Sequence, residues 1–200
     1  MPNPVEFYFD FSSPYGYIAS EKIDALAENY GRSVLWRPFL LGVAFKATGG
    51  GPLPSIPIKG QYAIRDIERS ARFHGLRYQH PGKFPISSIT PARAFYWLEA
   101  SDSVAAREMA KAFFRAYFVE NVDISNLEKI LLIGANLGLD PDAVRSGIGE
   151  LATKERTRQE VDAGLAKGVF GSPYIIVDGE PFWGADRLDQ VEKWLASGGF

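Results

Sequence analysis

A pair of serines followed by proline carries the clearest chemical signal in this sequence. Ser12 and Ser13 end an apolar run, and Pro14 begins a segment whose apolar residues recur at helical spacing. Proline is tolerated in the first turn of a helix, where its missing N–H would be unpaired anyway, so Ser13 is predicted at or beside the N-cap. Its hydroxyl can simply cap the helix, or it can face a bound anion or thiolate at the positive end of the helix dipole. The residues alone leave both interpretations open.

Sulfur chemistry cannot come from the chain itself, because none of its 200 residues is cysteine. Without thiols there is no disulfide, no thiolate metal site and no sulfur nucleophile. We therefore expect any reacting sulfur to arrive with a ligand. His74 and His80 lack a nearby acid or metal-ligand spacing, and no metal site is predicted.

Composition and charge exclude two classes of partner. Apolar residues make up 46% of the chain and the formal net charge is −2, so no basic surface for nucleic acid is expected. No apolar run approaches the roughly 18 residues that a membrane-spanning helix needs, and Met1–Pro4 do not begin a targeting segment. We expect a soluble, cytoplasmic protein with neither a nucleic-acid nor a membrane partner.

The elements that position Ser13 are predicted to form a strand, helix, strand unit. Residues 4–10 alternate in the manner of a strand, and one helix is expected from about residue 14 to residue 30. Gly31 suits its C-terminal end, and Val34–Arg37 form a second strand that stops at Pro38. Such a unit is normally parallel and right-handed.

The middle of the chain is predicted to be helical. After a loop rich in Gly and Pro over residues 48–57, only helical patterns occur from Lys59 to about Gly168. Helix starts are marked at Thr90–Pro91, at a capping box Ser125–Glu128, at Asp140–Pro141 and at about Thr153.

Strand signals return near the C-terminus. Pro173–Val177 is predicted as a strand, Asp178–Gly179 as a hairpin turn, and residues 180–183 as the returning strand, which Pro181 restricts to the sheet edge. Residues 184–186 then begin a closing helix. The predicted order is therefore βαβ, a block of helices, then αββα.

Three motifs in this framework resemble one known family. They are Phe9–Pro14, Phe170–Pro173 and Trp183–Leu188, in this order over nearly the whole chain. Together they resemble the 2-hydroxychromene-2-carboxylate isomerases and their relatives, the kappa-class glutathione transferases. The resemblance implies an α/β thioredoxin fold of the DsbA type with a large all-helical insertion. Residues 1–40 and 169–200, with helix 153–168, would form the thioredoxin-like domain, and residues 41–152 the helical insertion domain.

The resemblance also assigns a role to Ser13. In redox relatives a Cys-x-x-Cys motif opens the first helix, and here Ser13 and Gly16 stand at the two cysteine positions. The resemblance implies that glutathione supplies the missing sulfur as a cofactor and that Ser13 is the catalytic residue, hydrogen-bonded to that sulfur. A hydroxyl donor favours the thiolate over the thiol, so the physical chemistry agrees.

Five further residues are implied in holding glutathione. Pro173 would be cis, leaving the main chain of Ser172 free to pair with the cysteinyl unit; otherwise it is an ordinary strand start. Lys59 would face the glycine carboxylate, or lie solvated at a helix start. Ala185 and Asp186 would hold the γ-glutamyl end through main-chain N–H groups and a carboxylate, although Asp186 taken alone is typical of an N-cap.

The function implied is that of a glutathione-dependent isomerase acting on an aromatic, conjugated α-keto acid in aromatic degradation, as a homodimer. Glutathione thiolate would add to the double bond, and elimination after rotation would give the other isomer. The alternatives are a kappa-class-like glutathione transferase or peroxidase, and a non-catalytic thioredoxin-fold binding module. The module is favoured by two departures, Ala185 in place of Ser or Asn and Gly50 in place of Asn.

Overall fold

A single mixed sheet lies at the centre of the computed structural model, which describes residues 3–200; Met1 and Pro2 of the predicted N-terminal segment lie outside the described residues. Its strands are β1 Val5–Phe9, β2 Val34–Pro38, β3 Tyr174–Val177 and β4 Glu180–Trp183. They lie in the order β2-β1-β3-β4, with β1 parallel to β2 and antiparallel to β3, and β3 antiparallel to β4. This topology is a thioredoxin fold and confirms the predicted fold class.

Helices account for most of the remaining chain. They are α1 Pro14–Ser20, α2 Ile23–Glu28, α3 Leu41–Thr48, α4 Lys59–Phe73, α5 Ile89–Glu99, α6 Ser103–Phe118, α7 Leu127–Asn136, α8 Pro141–Gly149, α9 Leu151–Ala166 and α10 Leu188–Ser197. Short 3-10 helices span Leu53–Ser55 and Ala185–Arg187. The block α4 to α9 confirms the helical stretch predicted after Lys59. Within residues 3–200, no helix is both long and apolar enough to cross a membrane.

The helix predicted over residues 14–30 is wrong in one respect, because a turn at Glu21 and Lys22 divides it into α1 and α2. The Lys22 N–H bonds to the Ala19 carbonyl, three residues back, at 3.0 Å. This tighter hydrogen bond interrupts the four-residue spacing of an α-helix.

The capping box predicted at Ser125–Glu128 is also wrong by one residue. Asn126 is the N-cap of α7, and its side chain accepts the Glu128 N–H at 2.9 Å. The Ser125 hydroxyl instead donates to Asp123 at 2.5 Å, and its oxygen accepts from the Lys83 ammonium group at 3.3 Å.

The hairpin between β3 and β4 confirms the prediction from Asp178 and Gly179. Both have positive φ, 52° and 91°, as a two-residue turn matched to the strand twist requires. Pro181 lies on β4, the edge strand, where its missing N–H removes no bond from a second neighbour.

The sheet is buried on both faces. On one face the rings of Phe7 and Phe9 stack with centroids 5.1 Å apart, and Phe9 meets Phe114 of α6. On the other face Tyr8 packs in a second cluster with Phe39 and with Val161 of α9. Alternate β1 residues therefore serve different cores. The division into two domains stays a prediction.

Candidate functional site

Ser13 is the N-cap of α1, as predicted. Its backbone is extended, with φ −96° and ψ 113°, and its Oγ accepts the Gly16 N–H at 3.0 Å. The same hydroxyl donates to the Ser172 carbonyl oxygen at 2.8 Å. Ser13 is only 4% exposed. The hydroxyl proton is therefore engaged by a main-chain oxygen of the second motif.

The Ser172–Pro173 peptide bond is cis, as the resemblance implied. The Ser172 carbonyl accepts from Ser13, whereas no acceptor is found within residues 3–200 for the Ser172 main-chain N–H. The Ser172 side chain is also fixed, since its Oγ accepts the Asp10 N–H at 2.9 Å. A free main-chain donor thus lies beside Ser13, and an extended peptide pairs with donors of this kind.

Gly16 leaves the space that the Ser172 side chain fills. A Cβ at Gly16 would lie 2.8 Å from Ser172 Oγ and 3.2 Å from the Ser13 Cβ. The first distance is shorter than van der Waals contact, so a side chain at this position requires Ser172 to move. The Ser172 hydroxyl therefore occupies the space beside Gly16 in the first turn of α1.

Asp10 holds the same corner from the end of β1. It is 2% exposed, and its carboxylate accepts the Ser12 N–H at 2.7 Å, the Leu41 N–H at 2.8 Å and the Ser88 hydroxyl at 2.9 Å. Burial raises the pKa of Asp10, and these three hydrogen bonds oppose the rise because they favour the carboxylate. Asp10 thereby connects β1 to the starts of α3 and α5.

The sequence alone does not indicate this wider role of Asp10. The signal in the sequence is an acidic residue between two aromatic residues, Phe9 and Phe11, in a run that is otherwise apolar. The acceptor's partners Leu41 and Ser88 lie 31 and 78 residues away, so no local pattern identifies them.

The third motif is bonded to the second. The Gly184 N–H donates to the Pro173 carbonyl at 3.0 Å, which brings the 3-10 helix Ala185–Arg187 against the cis-proline loop. Ala185 is buried, while Asp186 is exposed and forms an ion pair of 3.3 Å with Arg187. The N-cap interpretation of Asp186 is wrong, because Gly184 precedes this helix and no side chain caps it.

Lys59 is set apart from these contacts at the first, exposed residue of α4. Asp66, seven residues later and on the same helix face, accepts the Tyr15 hydroxyl at 2.5 Å and so ties α4 to α1. Burial and the hydrogen bond to the Asp66 carboxylate both raise the pKa of Tyr15. Lys59 therefore lies on the face of α4 that meets α1, two turns before Asp66.

The residue before Lys59 is strained. Ile58 has φ 69° and ψ −53°, and the Lys59 N–H bonds back to the Pro57 carbonyl at 2.8 Å, which defines a γ-turn of the rare kind. Ile58 is β-branched and 94% exposed. Strained positions of this kind concentrate at binding and catalytic sites.

Of the predicted site residues, the structure joins Ser13, Ser172 and Pro173 directly and attaches Ala185 and Asp186 through Gly184. Lys59 lies apart from them, at the start of α4. A metal site is not found among the described residues. Within residues 3–200, His, Asp and Glu side chains form no group of three that could hold a metal ion.

Known proteins share this architecture over its whole length. The family model for the DSBA-like thioredoxin domain matches residues 4–196. The chain is 30% identical to a 2-hydroxychromene-2-carboxylate isomerase from Sphingobium xenophagum, over 98% of this chain and 99% of that protein. It is 28% identical to glutathione S-transferase kappa 2 from Caenorhabditis elegans, over 98% and 94%. A solved 2-hydroxychromene-2-carboxylate isomerase structure superposes with a TM-score of 0.86 at 27% identity, covering 96% of this chain and 94% of that one. The chain therefore belongs to the DSBA-like thioredoxin-domain family, in which it is similar to both the isomerases and the kappa-class transferases.

Proposed function

We propose that this protein is a glutathione-dependent isomerase of an aromatic, conjugated α-keto acid of the 2-hydroxychromene-2-carboxylate type. The observation that carries the proposal is the Ser13 hydroxyl, hydrogen-bonded to the peptide before cis-Pro173 in a chain without cysteine. Relatives named for this isomerase activity, 30% identical over nearly the whole chain, support it.

The groups around Ser13 fit glutathione, a tripeptide that carries a thiol, main-chain amides, two carboxylates and an ammonium group. The unpaired Ser172 N–H suits the main chain of the cysteinyl unit. Lys59 suits the glycine carboxylate, and the exposed Asp186 carboxylate suits the ammonium group. Ala185 can offer its main-chain N–H but no side-chain hydrogen bond.

When bound, glutathione supplies a thiolate that adds reversibly to the conjugated double bond, so that the substrate rotates about a single bond before the sulfur leaves. The task of this chain is to favour the thiolate. We expect the Ser13 hydroxyl to turn its proton from the Ser172 carbonyl to the sulfur, because a hydrogen bond to an anion is about twice as strong as one to a neutral acceptor. Ser172 Oγ, held by the Asp10 N–H, keeps the loop in place during this exchange.

Glutathione binding is the first test. A ligand of the native state raises the midpoint of thermal unfolding, so millimolar glutathione should raise it for the full chain. Ophthalmic acid, which has a methyl group in place of the thiol, is the matched control and should raise the midpoint less. No shift with glutathione contradicts the proposal and favours the non-catalytic binding module.

Product analysis distinguishes the isomerase from the transferase, the second candidate, which the 28% identity to a kappa-class enzyme favours. With 2-hydroxychromene-2-carboxylate as substrate, we expect the absorption spectrum to change while the free thiol concentration stays constant. Stoichiometric loss of thiol would instead assign a transferase or peroxidase activity.

We also propose that the protein is a homodimer and that it is located in the cytoplasm. Light scattering tests the first proposal, and cell fractionation tests the second.

A further inference from the structure

A cleft lies between α3, α5 and α9. Its volume is about 240 Å³, and the residues that matter for its chemistry are Leu40, Val43, Ile89, Arg93, Lys154 and Val161. Four of these six are aliphatic and two are cationic. The cleft therefore combines apolar walls with positive charge.

Arg93 is the unusual member of this set. Its Nε is buried and has no hydrogen-bond partner within residues 3–200. A buried N–H without an acceptor destabilises a folded protein unless another group accepts it. Arg37 also has an unpartnered Nε, but its Nη1 is paired with Glu160 at 2.9 Å. Among the ion pairs formed within the described range, none contains Arg93.

The positive charge of the cleft is only partly compensated. Arg158, at its edge, pairs with Glu155 at 2.6 Å and with Asp162 at 2.9 Å. Asp162 is the only carboxylate among the described residues that line the cleft, and this pairing occupies it. Arg93 and Lys154 are left for an anion from outside.

We propose that this cleft binds a small organic carboxylate with an apolar body. The guanidinium of Arg93 presents parallel N–H donors that match the two oxygens of a carboxylate, and Lys154 adds a second positive charge. The aliphatic walls formed by Val43, Ile89 and Val161 would cover the apolar body. Inorganic anions lack that body and leave the walls without a contact.

The proposed site and Ser13 lie against different clusters of the core, although Asp10 bonds residues beside both. The cleft adjoins the cluster of Tyr8, Phe39 and Val161, whereas α1 packs with Phe7 and Phe9 on the other face of the sheet. The site does not rest on the proposed glutathione chemistry, and its test uses no glutathione.

The experiment measures binding of 2-naphthoate and of its neutral analogue 2-naphthamide to the full chain by isothermal titration calorimetry. We expect the wild-type protein to bind 2-naphthoate roughly ten-fold or more tightly than the amide, the range for one hydrogen-bonded charge pair. In Arg93→Met, which keeps a long apolar side chain, that preference should vanish. Arg115→Met, on the exposed side of α6, is the matched control and should keep it. An equal affinity for both compounds in the wild type overturns the proposal.

Two further variants test whether the ligand binds in this cleft. Ile89→Trp, at a partly exposed position, should fill the cleft and abolish binding, whereas Ser13→Ala should leave the affinity unchanged. Loss of binding in Ser13→Ala but not in Ile89→Trp would move the ligand to the other site and contradict the inference. If Arg93→Met does not fold, Lys154→Gln at an exposed helix position must reduce the preference for the anion; an unchanged preference overturns the proposal.

Discussion

The Ser13 hydroxyl donates a hydrogen bond of 2.8 Å to the Ser172 carbonyl, between residues 159 positions apart in the chain. One proton thereby connects the start of α1 to the peptide before Pro173. The same oxygen accepts the Gly16 N–H, so Ser13 both caps a helix and holds a loop. A ligand sulfur that takes this proton must compete with Ser172, and the first prediction tests that competition.

Ser13→Ala should lower both stability and glutathione binding. Loss of the cap costs about 1 kcal/mol of unfolding free energy, and loss of the buried bond to Ser172 about another 1 kcal/mol. Urea unfolding measures this change. Asn126→Ala removes the N-cap of α7 and should cost a similar cap energy, yet leave the glutathione-dependent rise in thermal midpoint intact. A rise of equal size in both variants argues against Ser13 as a glutathione ligand.

Gly16→Ala should be destabilising by about 1–3 kcal/mol, because the new Cβ would lie 2.8 Å from Ser172 Oγ. Ser172→Ala removes that oxygen, so we expect the double variant to be more stable than the sum of the single changes predicts, by about 1 kcal/mol. Gly42→Ala in α3 is the control, since its Cβ meets nothing within 4 Å and alanine favours a helix. If the changes in unfolding free energy of the two single variants add up to that of the double variant, the close approach of the new Cβ to Ser172 Oγ does not destabilise the protein.

Asp10 gives stability an unusual pH dependence. Because burial raises the pKa of Asp10 in the folded protein, its contribution to stability is fully present below the ordinary value of 3.8 and is lost as the pH rises through the folded value. Asp10→Asn should be less stable than the wild type, since an amide nitrogen would face the N–H of Ser12 or Leu41. The difference in unfolding free energy between wild type and variant should therefore narrow as the pH rises.

Asp178 is the control, because its contribution to stability should change with pH in the opposite direction. Its hydrogen bonds from Arg32 lower the pKa of the carboxyl, so its contribution is present above the ordinary value and is lost as the pH falls. The difference between wild type and Asp178→Asn should therefore widen with rising pH. Denaturant unfolding between pH 3 and pH 8, a range set by ordinary carboxyl and histidine pKa values of about 4 and about 6.5, measures both slopes. Slopes of the same sign for Asp10 and Asp178 contradict the assignment.

Ile58→Gly should stabilise the protein. A left-handed backbone costs an L-residue about 1–2 kcal/mol. Glycine avoids that cost but loses about 0.5–1 kcal/mol more in chain entropy on folding, so the expected net gain is up to about 1.5 kcal/mol. Val104→Gly, the same kind of change at an exposed position in α6, should instead destabilise the helix. Thermal unfolding of both variants measures the contrast. A loss of stability in Ile58→Gly would mean that the γ-turn is not strained.

Patterns within a few residues of one another predicted much of this molecule correctly. The cap at Ser13, the helix start at Asp140, the turn at Asp178 and the edge position of Pro181 each depend on one or two neighbouring residues. The prediction was wrong where two neighbouring residues could both begin a helix. Ser125 and Asn126 both suit an N-cap; Asn126 caps α7, while the Ser125 hydroxyl bonds to Asp123 and Lys83, which are distant or local partners that no helix-start pattern includes.

Composition and local spacing were enough to predict that this chain has no thiol, that a serine caps its first helix, and that strands flank a helical block. Three-dimensional packing was needed to show that Ser13 is bonded to Ser172 and that Asp10 accepts from Leu41 and Ser88. It also showed that Arg93 Nε has no hydrogen-bond partner within residues 3–200. Contacts such as these join residues that are far apart in the chain, and the packing of the sheet and helices sets their distances, so patterns among neighbouring residues do not predict them.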